Sequence, residues 1–160
     1  MKTLSLDRAK CNGCGICQAV CSIKKTGAVK PDEARIRIRR EGGIDAQFAA
    51  VCQHCEEPVC VYACMRGIID KDYVTGKITR RTEGCFACAA CRVMCPHGAV
   101  VYDSKMGAFV TCDYCDGDPV CVKACPTGAL KFQDLSMHST DRRNAYAAGF
   151  FHSGGNGGRK

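Results

Sequence analysis

The chain of 160 residues contains no tryptophan, and aromatic residues make up only 7% of it. No basic run is interleaved with aromatic side chains, which is the pattern that single-stranded nucleic acids need for stacking. No run of apolar residues is long enough to cross a bilayer. These absences argue against a nucleic-acid-binding protein and against a protein that spans a membrane.

An export signal is also missing from the start of the sequence. The segment before Cys11 is too short for a charged region, an apolar region and a cleavage site, and it has no twin-arginine pair. Free thiols persist in reducing compartments. The sequence therefore predicts a cytoplasmic protein, although a subunit without a signal can be exported together with a partner that has one.

Recognisable catalytic motifs are absent as well. We find no phosphate loop, no nucleophile paired with a base and no dinucleotide fingerprint. The glycines from Gly154 to Gly158 lack the strand and helix that such a fingerprint needs. The sequence thus predicts a protein with no catalytic residues of its own.

Cysteine, by contrast, is abundant. The sixteen cysteines form four quartets, each with the ligand count of one cubane iron–sulfur cluster. The quartets, numbered in chain order, are Cys11-Cys14-Cys17-Cys21, Cys52-Cys55-Cys60-Cys64, Cys85-Cys88-Cys91-Cys95 and Cys112-Cys115-Cys121-Cys125.

The spacing of the cysteines points to [4Fe–4S] clusters. Quartets one and three read C-x2-C-x2-C-x3-C, the spacing by which bacterial ferredoxins bind such clusters. Quartets two and four have longer middle spacers that end in a Pro-Val-Cys step. Cys17 and Cys21 lie one helical turn apart, so one cubane cannot easily use both along with Cys11 and Cys14. In two-cluster ferredoxins the fourth cysteine ligates the neighbouring cluster.

Two other uses of sixteen cysteines fit less well. Structural zinc sites are usually built from two C-x2-C pairs separated by a long stretch, whereas these quartets are compact. Eight disulfides would require an oxidising compartment. Iron–sulfur ligation is therefore the favoured interpretation.

Short extended segments separate the quartets. Alternation of apolar and polar residues, together with Gly-containing turns, predicts hairpins between consecutive cysteine loops. The fold class is therefore predicted as α+β, with short hairpins, short helices and a small apolar core that depends on its clusters for stability. The predicted strands are Ala34–Arg39, Gln47–Val51, Gly67–Ile69, Lys77–Thr79, Val100–Tyr102, Ala108–Val110 and Leu130–Phe132, and a turn is predicted at Glu41–Gly43.

The motifs CNGCGICQAVC, CQHCEEPVCVYAC, CFACAACRVMCP and CDYCDGDPVCVKACP resemble the four-cluster ferredoxin-type subunits of respiratory and fermentative oxidoreductases. The resemblance covers roughly residues 5–135. It implies two tandem bacterial-ferredoxin-like lobes within residues 1–135, one formed by quartets one and four and the other by quartets two and three.

The resemblance also implies which cysteines share a cluster. In each case three cysteines of one quartet are joined by the last cysteine of another. The first set is Cys11, Cys14, Cys17 and Cys125; the second is Cys112, Cys115, Cys121 and Cys21; the third is Cys52, Cys55, Cys60 and Cys95; the fourth is Cys85, Cys88, Cys91 and Cys64.

The function that this resemblance implies is electron transfer through four [4Fe–4S] clusters. The chain as a whole is most similar to the small iron–sulfur subunit of bacterial tungsten-dependent aldehyde oxidoreductase. A tungsten- or molybdenum-pterin catalytic subunit would then be one partner, and a flavin subunit or a ferredoxin the other. Three alternatives remain: a free polyferredoxin, the corresponding subunit of a hydrogenase, formate dehydrogenase or carbon monoxide dehydrogenase, and, least favoured, a cluster-based sensor.

Residues 136–160 contain no cysteine and end in a glycine-rich stretch. Such a segment is either a flexible end or, because it includes Tyr146, Phe150 and Phe151, an arm that docks to a partner or to a second copy of the chain. Elsewhere, His54 and His97 are expected to form hydrogen bonds near their own loops. The arginines in and directly after the first predicted strand are expected on a solvated face with Ile36 and Ile38 inward, or alternatively as a surface that steers an acidic partner; they are Arg35, Arg37, Arg39 and Arg40.

Overall fold

The computed structural model describes residues 2–40 and 47–134. In these residues the strands pair only in twos, which gives four separate antiparallel pairs. The strands are β1 (Lys2–Leu6), β2 (Ile36–Arg40), β3 (Gln47–Val51), β4 (Ile69–Lys71), β5 (Ile78–Arg80), β6 (Val101–Asp103), β7 (Ala108–Val110) and β8 (Leu130–Asp134).

Three of the pairs join consecutive strands, as the sequence predicted: β2 with β3, β4 with β5, and β6 with β7. Their ends shift slightly from the predicted limits. Strand β2 begins at Ile36 rather than Ala34, because the Arg35 N–H donates to Cys21 Sγ at 3.3 Å and not to a neighbouring strand. The turn predicted at Glu41–Gly43 lies outside the described residues.

The fourth pair brings the two ends of the described chain together. Strand β1 runs antiparallel to β8, with Leu4 opposite Phe132. Leu4 and Leu130 of this pair are almost completely buried. Strand β1 precedes the first cysteine loop in the sequence, and β8 follows the last one. The pairing of the two strands therefore brings these two loops together.

In the described residues four α-helices, three of them very short, and two 3-10 helices at Pro31–Glu33 and Tyr114–Gly117 accompany the strands. The longest begins after Gly15 and ends at Gly27, both with left-handed backbones, and the Gly27 N–H donates to the Ile23 carbonyl at 2.9 Å. Lys24 and Lys25 in its last turn interact favourably with the helix dipole. The helices are α1 (Ile16–Thr26), α2 (Val59–Tyr62), α3 (Ala90–Val93) and α4 (Val120–Lys123).

The buried apolar residues form two clusters. One is built around Leu4, Ile36 and Leu130, and the other around Ile69 and Phe109; both include cysteines. Helix α1 contacts α4, and α2 contacts α3. The observed fold is thus the small mixed α+β structure that the sequence predicted. Its division into two ferredoxin-like lobes stays a prediction.

Candidate metal centres

Each α-helix carries the third cysteine of one quartet at its second position. The fourth cysteine follows four residues later. In α1 both cysteines lie within the helix and, being four residues apart, project from the same side. In the other three quartets the fourth cysteine lies two residues beyond the end of the helix. The third cysteines are Cys17 in α1, Cys60 in α2, Cys91 in α3 and Cys121 in α4.

A second feature recurs in all four quartets. The residue immediately before the second cysteine has a left-handed backbone, with φ of 68° at Gly13, 47° at His54, 51° at Ala87 and 59° at Tyr114. Only glycine adopts this conformation without strain. The cysteine loops therefore share one backbone shape even where the sequence has no glycine to signal it.

The first and fourth sets each line a hollow in the protein. Cys11, Cys14, Cys17 and Cys125 lie around a shallow one between the first loop and Leu130. The other, a cavity of about 130 Å³, is bordered by the whole fourth set together with Phe86, Phe109 and other residues. In both hollows three cysteines of one quartet meet one cysteine from a different quartet. The fourth set consists of Cys85, Cys88, Cys91 and Cys64.

The second set is also brought together. Burial, with smaller contributions from the nearby Cys21 and Cys115, raises the pKa of the Cys121 thiol to about 12. Burial likewise raises the pKa of Cys112, and the nearby Cys121 and Cys21 also raise it. Cys21, which belongs to quartet one in the sequence, therefore lies among the thiols of quartet four.

The third set shows part of the same exchange. Burial raises the pKa of Cys60, Arg80 opposes this, and Cys95 and Cys55 add to the increase. Burial raises the pKa of Cys52 to about 11, with a smaller contribution from Cys60. Cys95 of quartet three thus lies near Cys60 of quartet two, and Cys91 of quartet three is near it as well.

Burial raises the pKa of six of the sixteen thiols and so favours their protonated state: Cys17, Cys21, Cys52, Cys60, Cys112 and Cys121. The pKa of Cys17 is raised to about 11. At Cys125 burial acts in the same direction, but hydrogen bonds from the Leu130 backbone and the Thr127 hydroxyl outweigh it, and the pKa is lowered. A metal that binds thiolates here must displace protons, which makes its affinity depend on pH.

Backbone N–H groups point at several sulfur atoms. Arg35 donates to Cys21 Sγ at 3.3 Å, and Tyr114 donates to Cys112 Sγ at 3.4 Å. Ala99 donates to Cys95 Sγ at 3.5 Å. Such bonds stabilise negative charge on sulfur and are one of the means by which a protein sets the potential of an iron–sulfur cluster.

Over the described ranges 2–40 and 47–134, no three His, Cys, Asp or Glu side chains lie close enough together to hold a single metal ion. The cysteines instead surround hollows or lie near cysteines of a different quartet. Sixteen soft thiolate donors in such groups fit iron–sulfur chemistry.

His54 and Tyr114 are buried between the cysteine loops. Their ring centroids lie 4.2 Å apart. The Ile78 N–H donates to His54 Nδ1 at 2.7 Å, so the partner of His54 is in β5 rather than in its own loop. Burial lowers the pKa of His54 to about 4, which keeps the imidazole neutral. His97, by contrast, is exposed.

The arginines near β2 do not all face solvent, contrary to the sequence prediction. Arg35 is buried, because its guanidinium forms an ion pair with Asp103 at 2.6 Å. Arg37 is half-buried and donates to the Asp32 carbonyl at 2.6 Å, whereas Arg39 is exposed. Ile36 is buried and Ile38 half-buried, in agreement with the predicted inner face.

Comparison with known families agrees with this donor chemistry. The model of the 4Fe–4S dicluster domain matches residues 44–135. The chain belongs to this family. It is therefore a ferredoxin-type iron–sulfur protein, and the match covers quartets two, three and four.

Similar proteins are electron-transfer proteins or subunits of oxidoreductases. The beta subunit of NADH-dependent phenylglyoxylate dehydrogenase from Aromatoleum evansii is 42% identical over 81% of this chain, which spans only 29% of that protein. The polyferredoxin-like subunit of aliphatic sulfonate oxidoreductase from Pyrococcus furiosus is 34% identical over 72% of this chain and 66% of its own. Electron transport protein HydN from Escherichia coli K12 is 31% identical over 90% of this chain and 96% of its own.

In the part of the chain that the structure describes, no helix has both the length and the apolar character needed to cross a membrane.

Proposed function

We propose that this chain is an electron-transfer subunit that binds four [4Fe–4S] clusters, one in each cysteine set. The observation that carries the proposal is the grouping of the thiols. Cys64 and Cys125 each line a hollow with three cysteines of a different quartet. Cys21 lies near Cys112, Cys115 and Cys121 of quartet four, and Cys95 lies near Cys60 of quartet two. This exchange of the fourth ligand is the arrangement of two-cluster ferredoxins.

The residues around the sets fit such a cofactor. When bound, a [4Fe–4S] cluster supplies reversible one-electron chemistry. The four thiolates of each set would hold it, and the left-handed loops would wrap its corner. The N–H groups of Arg35 and Tyr114 would stabilise negative charge on ligand sulfurs of the second set, and that of Ala99 on a ligand sulfur of the third.

The exposure of the cysteines suggests the order in which the four sets follow one another along the electron relay. Cys14 of the first set and Cys88 of the fourth are exposed, whereas Cys112, Cys121 and Cys52 of the second and third sets are buried. We therefore place the first and fourth sets at the two ends of the relay and the other two between them. By family resemblance, we expect the first set to face the catalytic subunit.

The partner is proposed to be the catalytic subunit of an oxidoreductase. The named functions of the phenylglyoxylate dehydrogenase and aliphatic sulfonate oxidoreductase subunits support this class. Within it, the whole-chain resemblance favours a tungsten- or molybdenum-pterin aldehyde oxidoreductase, with a flavin subunit or a ferredoxin at the other end. Sixteen reduced thiols favour the cytoplasm as the site of assembly.

A second function is a free polyferredoxin that shuttles electrons between enzymes. It is favoured by the similarity to HydN, of which this chain covers 96%. In both functions the four cysteine sets bind the same clusters. The functions differ only in whether a catalytic subunit holds the chain.

The test is anaerobic purification of the full chain from its own cells, followed by native mass spectrometry and analysis of iron and sulfide. We expect sixteen iron and sixteen sulfide per chain, from four cubanes on sixteen cysteines, and a complex with a large pterin-containing subunit. A colourless protein with stoichiometric zinc contradicts the proposal. A brown protein that is always isolated alone supports the shuttle.

A further inference from the structure

The rings of His54 and Tyr114 are the point at which quartets two and four meet. Each residue directly precedes the second cysteine of its quartet, so the two occupy equivalent positions in the fourfold repeat. Their centroids are 4.2 Å apart, and the residues are 1% and 3% exposed. One ring therefore reaches inward from the third set, and the other from the second.

Both rings are fixed by contacts with different strand pairs. His54 Nδ1 accepts a hydrogen bond from the Ile78 N–H of β5 at 2.7 Å. The Tyr114 and Thr3 hydroxyls lie 3.2 Å apart, and the Phe132 ring lies 5.2 Å from the Tyr114 ring. The contact is thus held from the β4–β5 pair on one side and from the β1–β8 pair on the other.

The equivalent positions in the other two quartets lack a ring. Gly13 stands there in quartet one and Ala87 in quartet three, and both have the same left-handed backbone as His54 and Tyr114. Any Cβ is strained in this conformation, so glycine would be the easiest residue to accommodate at all four positions. At this position, rings occur only in the two quartets whose second cysteines belong to the sets that we place in the middle of the relay. This pattern is difficult to explain if the loops merely require a left-handed residue.

We propose that the His54–Tyr114 contact is the bridge for electron transfer between the second and third cysteine sets. The inference rests on the proposed function, since it requires a cluster in each set. One electron passes from one set to the other, so one is oxidised as the other is reduced; no bond forms or breaks and no proton is transferred. The rate of electron tunnelling falls with distance, and it falls less steeply through packed atoms than through empty space. The two buried rings place packed atoms between the loops of the second and third sets.

The test compares a variant that loses the ring with one that keeps it. Tyr114→Leu keeps an apolar side chain but removes the ring, and Tyr114→Phe keeps the ring but loses the hydroxyl that contacts Thr3. Tyr102→Leu is the matched control, because it removes a ring that contacts Phe109 on the β6–β7 pair, away from the contact between His54 and Tyr114. His54→Leu provides a second deletion, should Tyr114→Leu fail to assemble.

Each full-length protein is reconstituted, its iron content and cluster potentials are measured, and one electron is introduced by a flash. Rapid freeze-quench EPR then follows redistribution of the electron between the clusters. We expect a several-fold slower redistribution in Tyr114→Leu and His54→Leu at unchanged potentials, with most of the rate retained in Tyr114→Phe and all of it in Tyr102→Leu.

Fully loaded Tyr114→Leu and His54→Leu proteins that redistribute the electron at the wild-type rate would overturn the bridge and leave the four-cluster relay intact. If Tyr102→Leu slowed the redistribution of the electron as much as Tyr114→Leu, the bridge would also be overturned, because loss of any aromatic ring would then be enough to slow it. A wild-type protein with fewer than four clusters would contradict the proposed function itself.

Discussion

Arg35 and Asp103 form a buried ion pair with an N–O distance of 2.6 Å, and their side chains are 5% and 2% exposed. The same carboxylate accepts hydrogen bonds from the N–H groups of Lys105 and Met106, at 3.1 Å each, in the turn after β6. The Arg35 N–H meanwhile donates to Cys21 Sγ. The pair thus connects the β6–β7 hairpin to the segment that supports a cysteine of the second set.

Removing the carboxylate should destabilise the protein strongly. Asp103→Asn leaves the buried Arg35 guanidinium without a counter-charge, and breaking a buried pair in this way costs about 3–5 kcal/mol. The measurement is the half-life of the cluster absorbance in a fixed concentration of guanidinium chloride. Asp70→Asn is the control, because its pair with Arg81 is well exposed and such pairs contribute about 0–1 kcal/mol. Equal half-lives of the two variants would contradict the role assigned to Asp103.

The effect of Asp103 should depend on pH in a defined direction. Burial raises the pKa of its carboxyl, but the hydrogen bond from Arg35 and those from the turn outweigh burial, and the pKa is lowered. A carboxyl with a lowered pKa stabilises the folded state above its ordinary pKa of about 3.9, and this contribution is lost as the pH falls through the lowered value. The difference in half-life between wild type and Asp103→Asn should therefore be constant from neutral to weakly acidic pH and shrink only in strong acid. A difference that shrinks already near neutral pH would contradict this assignment.

Replacement of Cys21 tests the exchange of ligands between quartets. Cys21→Ala should damage the cluster of the second set, which is otherwise held by quartet four, and leave the first set intact. Cys17→Ala is the matched control on the same helix and should damage the first set. EPR and Mössbauer spectra of the two variants distinguish the clusters. If Cys21→Ala altered only the cluster of Cys11, Cys14 and Cys17, the proposed sets would be wrong.

The sequence predicted the local features of the fold well. Three hairpins follow from alternating residues and nearby glycines, since both strands and the turn lie in one short segment. The β1–β8 pair was not predicted, because its partners lie at opposite ends of the described chain. The left-handed loops at His54, Ala87 and Tyr114 were missed because none of these residues is glycine. Comparison of the four quartets position by position, with Gly13 as the reference, could have revealed them.

Arg35 shows why the position of a charged residue was harder to predict. Its alternation with Ile36 predicted an outward-facing side chain, and the sequence gives no sign of a partner 68 residues away. The grouping of cysteines from different quartets likewise depends on how distant helices pack. Spacing alone supplied the number and type of ligands, and only family resemblance suggested which cysteines belong together.

Gly15→Ala and Ala89→Gly should change the stability of the protein in opposite directions. Gly15 and Ala89 precede α1 and α3 with φ of 76° and 63°. Gly15→Ala should destabilise the protein by about 1 kcal/mol, because alanine is strained there. A Cβ at Gly15 would have no atom within 4 Å, so no steric clash contributes.

Ala89→Gly removes the same strain but makes the unfolded chain more flexible, so a smaller gain is expected. The half-life of the cluster absorbance in denaturant measures both effects. A gain in stability from Gly15→Ala, or a loss from Ala89→Gly, would mean that the backbone conformation is not what limits these positions.

The final prediction concerns residues 136–160, which lie outside the described residues. Tyr146, Phe150 and Phe151 supply aromatic side chains of the kind that anchor protein interfaces. Truncation after Leu135 leaves β8, which ends at Asp134, and its pairing with β1 in place. The truncated chain should therefore bind its clusters but lose its association with a catalytic subunit or a second copy, as measured by native mass spectrometry. In a full-length control, replacement of the three aromatic residues by serine should have the same effect, because it removes the anchors and keeps the length. A truncated chain that assembles with the full-length stoichiometry would show that the segment is only a flexible end.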